Sequence, residues 1–301
     1  MTNDAPRQAT VQCLSRSGIH RMAYVEWGEP DNPNVLVCVH GLTRAGRDFD
    51  RLAQALADRY RVVCPDVVGR GRSDWLREPS DYALPQYVAD MVTLIARLGV
   101  DSVHWLGTSM GGLIGLALGG QPGSPIKRLV LNDVGPKINP EAVERIGAYV
   151  GKPVRFATLE EAVDYITLIS LGFGLRTRDE WREITRSVVK PDGDGFTLHY
   201  DLKLGLPIKA MTPQLTAASE AALWKLYDQI QCPTLLIRGE NSDLLSRETA
   251  TAMTQRGPRA TLIEFDGVGH APMFFDPAQI ETVREFLLRS FRAEGEESRS
   301  S

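Results

Sequence analysis

Only four cysteines occur in the 301 residues, at positions 13, 38, 64 and 232, and none forms a Cys-x-x-Cys pair or a zinc-ligand spacing. That argues against both a disulfide framework and a structural zinc site, and the cysteines read as small apolar core residues in a reducing compartment. No apolar stretch approaches the roughly 18 residues of a membrane span, and the polar N-terminus "MTNDAPRQAT" lacks the apolar core of a signal peptide. A cytoplasmic location is the expectation. Basic clusters are missing too: the net charge is −4, which argues against nucleic-acid or anionic-membrane surfaces as partners.

What is present is ample core material, 43% hydrophobic against 24% charged residues, in a definite order. "VQCLSRS" and "HRMAYVEWG" flank a turn around Gly18 and predict a hairpin. The unbroken apolar run "NVLVCVH" predicts a strand buried on both faces. Helices at 48–58 and 85–98 then alternate with the strands "RVVCPD", "SVHWLG" and "IKRLVLND", the mark of a mostly parallel α/β sheet. After Pro136 the rhythm changes. Residues 137–225 read as a largely helical insertion, with "KPDGDGF" (190–196) as a loop inside it. The α/β pattern resumes with "CPTLLIRG", a helix over 246–256, "ATLIEFDG" and a last helix at 277–293.

The expected organisation is a core of 1–136 and 226–292, a helical cap of 137–225 inserted after the sixth strand, and a disordered tail of 293–301.

Chemistry concentrates where strands end, as it does in open α/β sheets. "HGLTR", "GTSMGG", "GENSD" and "GVGH" each follow a predicted strand. "GTSMG" has the form G-x-S-x-G between a strand and a helix, which places Ser109 on a strained, exposed turn as a nucleophile. A serine hydroxyl needs a base. Of the five histidines, His20 and His104 fall in strands and His199 in the insertion, while His270 follows the last strand in a glycine-flanked loop. The acid that orients the imagined imidazole is expected at Asp243, with Asp133 of "LNDVGP" as its rival. An oxyanion hole would use the backbone N–H groups of Met110 and Leu42, with His40 shaping the loop.

Together with "HG" at 40–41 and "PDVVGRGRSD" at 65–74, these motifs resemble the α/β-hydrolase superfamily over nearly the whole chain. The resemblance implies the triad Ser109, Asp243 and His270 and a helical cap; no metal or organic cofactor is implied. A serine at the elbow departs from the haloalkane dehalogenases and epoxide hydrolases, which place aspartate there, and from the cysteine of dienelactone hydrolases.

The expected activity is hydrolysis of small to medium carboxylic esters, including hydroxyacid esters, through an acyl-enzyme. Finer resemblance, through "HGLTR" and "RGENSDLLS", is to bacterial intracellular esterases, including hydrolases of hydroxybutyrate oligomers. Carbon–carbon bond hydrolases of meta-cleavage products, enol-lactonases and non-catalytic binding members of the fold are the alternatives. The carbon–carbon hydrolases commonly carry tryptophan after the histidine, where this chain has "HAPMFFD".

Substrate contacts are expected from Met273 and Phe274, and from Arg44 as an anion clamp, against a solvated face for Arg44 and Arg47. The apolar run "YITLISLGFGL" (165–175) faces either the pocket or the core. The expected partners are a small ester and, at most, a second copy of the chain in a homodimer.

Overall fold

The computed structural model describes residues 5–297. Strands β1 (Arg7–Ser15) and β2 (Gly18–Trp27) form the opening antiparallel hairpin, closed by the Ser15–Gly18 pair. There follow β3 (Val35–Val39), α1 (Asp50–Leu56), β4 (Arg61–Pro65), α2 (Leu84–Leu98), β5 (Val103–Thr108), α3 (Met110–Gly119) and β6 (Ile126–Asn132). The chain then leaves the sheet for α4 (Pro140–Tyr149), β7 (Arg155–Phe156), α5 (Leu159–Ile169), α6 (Arg178–Arg186), β8 (Val189–Asp192), β9 (Gly195–Leu198), α7 (Gly205–Lys209) and α8 (Pro213–Tyr227). It returns as β10 (Thr234–Gly239), α9 (Arg247–Gln255), β11 (Thr261–Phe265) and α10 (Pro277–Glu297).

The main sheet has eight strands in the order β1-β2-β4-β3-β5-β6-β10-β11, parallel from β4 to β11. β3 is buried along its whole length, as its continuous apolar run requires of a strand covered on both faces. Cys13, Cys38 and Cys64 are buried in the core as the apolar residues expected of them.

α3 carries almost no polar residue and sinks against β5. Its glycines permit that approach. A Cβ on Gly111 would stand 2.0 Å from the Val39 carbonyl oxygen, and one on Gly115 2.2 Å from the Trp105 indole nitrogen.

Between β6 and β10 the insertion is not purely helical. β7, β9 and β8 form a small antiparallel sheet, and the stretch 190–196 expected as a loop supplies its β8–β9 hairpin. Gly193, at φ 61°, makes that turn. α10 continues into the segment expected as a disordered tail, whose last residues, 298–301, lie outside the described residues. Among the described residues no helix is long and apolar enough to cross a membrane.

Two backbone straps fasten the insertion to the core. The 69–71 turn bonds to 199–201, with Gly71 N–H on the His199 carbonyl at 3.0 Å and Asp201 N–H on that of Gly69 at 2.8 Å. Elsewhere the Gly269 N–H donates to the Gly172 carbonyl at 2.7 Å.

Candidate active site

Ser109 occupies the turn between β5 and α3 with φ 52° and ψ −117°, a conformation that side chains other than hydrogen rarely adopt. The turn can close so tightly because Gly107 and Gly111 have no side chains: a Cβ on Gly107 would lie 2.1 Å from the Gly111 carbonyl oxygen. The hydroxyl is thereby held at the N-terminus of α3, where the unpaired N–H groups favour negative charge.

His270 Nε2 lies 3.0 Å from Ser109 Oγ. Its Nδ1 lies 2.7 Å from Oδ2 of Asp133, not of Asp243. Asp133 is fully buried, and its carboxylate also accepts from the Gly239 N–H at 2.9 Å and the Ser242 hydroxyl at 2.6 Å. Asp243 is half-exposed and paired with Arg145 of α4 at 2.6 Å.

Side-chain direction in the loop after β10 explains the correction. Ser242 of that loop reaches the Asp133 carboxylate, while the next side chain, Asp243, turns outward to Arg145 of α4. The loop after β10 therefore contributes donors to the acid, through Gly239 and Ser242, rather than the acid itself.

Asn132, which the sequence reading passed over, braces the same corner. Its amide donates to Thr108 Oγ1 at 2.9 Å and to the Pro272 carbonyl at 2.8 Å, tying β5 to the histidine loop. Its position immediately before Asp133 was the available signal.

The expected oxyanion loop lies beside the nucleophile: a Cβ built on Gly41 falls 3.7 Å from that of Ser109. Among the described residues no acceptor bonds the peptide N–H of Leu42 or Met110. His40 shapes this loop as anticipated. Fully buried, its Nδ1–H donates to the Gly41 carbonyl at 2.6 Å, and its Nε2 accepts from the Val67 N–H at 2.9 Å. Both ring nitrogens are used by a neutral imidazole, and burial drives its pKa down to about 3.

Two motif residues of 65–74, Asp66 and Gly71, brace the turn. Asp66 accepts from the Gly46 and Arg72 N–H groups, and a Cβ on Gly71 would collide with its carboxylate.

A cavity of about 80 Å³ opens onto Ser109 and His270. A water needs about 10–15 Å³ of such space, so the cavity holds a group of several heavy atoms, the size of a short acyl unit. Met273 and Phe274, expected as substrate contacts, are among the residues lining it.

The apolar run of the insertion meets the anticipated roles only in part. Ile166, Ile169 and Phe173 face the cavity, whereas Leu168 and Leu171 are exposed, in neither pocket nor core.

Arg44 lines the cavity too but is buried, contrary to a solvated face. Its fork is held by Asp48, with Nε and Nη2 donating at 2.7 Å each, and Nη2 also reaches the Ile184 carbonyl of α6 at 3.1 Å. Its charge is thus neutralised within the protein, which leaves little of the expected anion clamp. Arg47 pairs with Asp50 at the surface.

Residues 36–283 match the alpha/beta hydrolase family. Over 287 residues the chain is 57% identical to a 3-hydroxybutyrate-oligomer hydrolase of Cupriavidus necator, an alignment covering 94% of this chain and 98% of that protein. The crystal structure of an alpha/beta hydrolase from Novosphingobium aromaticivorans superposes with a TM-score of 0.82 at 33% identity, covering 94% of this chain and 98% of the other. One from Rickettsia typhi gives 0.84 at 29% identity with the same coverage.

Proposed function

We propose that this chain, which belongs to the alpha/beta hydrolase family, is a serine-dependent carboxylic ester hydrolase whose substrates are short oligomers of 3-hydroxybutyrate or closely similar hydroxyacid esters. The observation that carries the chemistry is the continuous relay Ser109–His270–Asp133, with links of 3.0 and 2.7 Å, at the floor of a cavity walled by core and insertion. The substrate class rests on the 57% identity to the Cupriavidus necator hydrolase along nearly the full length of both chains.

In this reading His270 Nε2 takes the Ser109 proton as Oγ attacks the ester carbonyl carbon. The oxygen of the tetrahedral intermediate takes up negative charge against the N–H groups of Leu42 and Met110. Asp133 keeps Nδ1 protonated and stabilises the imidazolium. The imidazolium then protonates the departing alkoxide oxygen, which in an oligomer is the hydroxyl of the next unit. Water, activated by the same imidazole, releases the acyl group from Ser109. The acyl unit occupies the cavity between Met273 on the core side and Ile166, Ile169 and Phe173 on the insertion.

The test is incubation of the purified protein with a linear 3-hydroxybutyrate trimer, following monomer and dimer by chromatography. Wild type is expected to release them, and Ser109→Ala to fall by at least about 10³-fold while remaining folded. Release at an undiminished rate by Ser109→Ala would refute the mechanism. No release by wild type, alongside hydrolysis of simple esters, would refute only the substrate.

A further inference from the structure

Arg70 is fully buried, although charged residues almost never are unless paired. Among the described residues no carboxylate pairs with it. Instead Nε donates to the Leu42 carbonyl at 2.8 Å, Nη1 to the Val68 carbonyl at 2.7 Å and the Tyr87 hydroxyl at 3.1 Å, and Nη2 to the Met110 sulfur at 3.3 Å. The ring of Tyr87 faces the guanidinium at 5.0 Å and that of Tyr82 at 5.9 Å. A cation buried without a counter-ion costs far more than a surface one.

The pattern of contacts supplies a reason. The guanidinium grips both residues whose peptide N–H groups flank Ser109, one through its carbonyl and the other through its side chain. Its positive charge has no resident anion, and the anion that forms nearby is the oxygen of the tetrahedral intermediate.

We infer that Arg70 is the positioning residue of the oxyanion hole: it fixes the 41–42 loop against the start of α3 and adds uncompensated positive charge behind the two N–H donors. This rests on the reading of Leu42 and Met110 as those donors. The inference extends to the insertion, because Arg70 also pairs with Tyr200 in an isolated antiparallel bridge. The turn that holds the hole is therefore the same turn that straps the insertion down.

Stabilisation that acts on the intermediate more than on the bound ester lowers kcat and leaves KM nearly unchanged. Arg70→Lys keeps the charge but loses the fork, and Arg70→Met loses both. With active sites counted by a phosphonate that labels Ser109, kcat is expected to fall about tenfold in Arg70→Lys and about 100-fold in Arg70→Met, with KM within about threefold. Affinity for a trifluoromethyl ketone, which adds to Ser109 and leaves an oxyanion, is expected to fall by the same factors. A role confined to folding predicts fewer titratable sites with unchanged kcat per site and unchanged ketone affinity, and that result overturns the inference.

If both variants fail to fold, Tyr87→Phe, which removes one acceptor of the fork, decides. A two- to fivefold loss in kcat matched by the ketone is expected, and no loss in either overturns the inference. Full activity in Ser109→Ala would instead bring down the reading beneath it.

Discussion

At the scale of single residues, the decisive question is which carboxylate serves His270. Asp133→Asn keeps the shape of the buried acid but gives Nδ1–H no anion, and steady-state turnover is expected to fall by about 10³–10⁴-fold. Asp243→Asn breaks only its half-exposed pair with Arg145, and turnover is expected to stay within about twofold of wild type. Equal losses in the two variants would contradict the geometry. Ser109 and His270 were legible because each sits in a local pattern, a glycine-bounded turn or a glycine-flanked loop at a strand end. The acid was not, because both candidates had such a setting and the choice depends on which carboxylate turns inward, Asp133 to His270 or Asp243 to Arg145. Arg70 was invisible for a related reason. A sequence shows an arginine in a polar turn, and only the fold shows that turn closed over by α2 and the insertion.

Among the elements, α3 is the most demanding, since its contact with the sheet depends on absent side chains. Gly111→Ala would drive a methyl group to 2.0 Å from a backbone oxygen that cannot move without shifting β3. Gly119→Ala meets side-chain atoms no nearer than 3.6 Å, an ordinary contact. In urea denaturation Gly111→Ala is expected to lose about 3 kcal/mol or more, while Gly119→Ala is neutral or gains about 0.5 kcal/mol. Comparable effects would mean that α3 does not pack as closely as described. The core elements were readable in sequence because apolar runs of strand length alternate with 3.6-residue periodicity. The β8–β9 hairpin was not. "KPDGDGF" contains one apolar residue, and its pairing is fixed by the turn at Gly193 and by Phe156 and Ala157 against β9 rather than by alternation.

For the molecule as a whole, His40, fully buried, and His104, half-buried, both contribute to the response to acid. His40 is held down to about 3 and His104 to about 4, both chiefly by burial. The unfolded chain binds these protons near pH 6.5 and the folded chain does not, so their stabilisation is complete above that pH and is lost as pH falls. Each contributes a loss of about 2 kcal/mol between neutrality and pH 5. His104→Gln, remote from the active site, is expected to remove its share of that loss, measured as the difference in urea midpoints at pH 7 and pH 5. An unchanged pH slope would show that His104 titrates alike in both states.

The straps at 69–71 and at Gly269 lead to a different consequence, one for how such chains diversify. Ser109, Asp133, His270, Leu42, Met110 and Arg70 all lie outside 137–225, whereas much of the cavity wall lies within it. On the proposed mechanism, the reacting groups and much of the acyl cavity are thus encoded in separate stretches of the gene. A recombined insertion would inherit the chemistry and bring its own preference, provided that it offered backbone partners to Gly69, Gly71 and Gly269 and a carbonyl to Arg44. Side chains constrain such an exchange as well, above all Asp201, which accepts from the buried Tyr82 hydroxyl at 2.6 Å, and Glu183, which pairs with Arg51 at 2.7 Å.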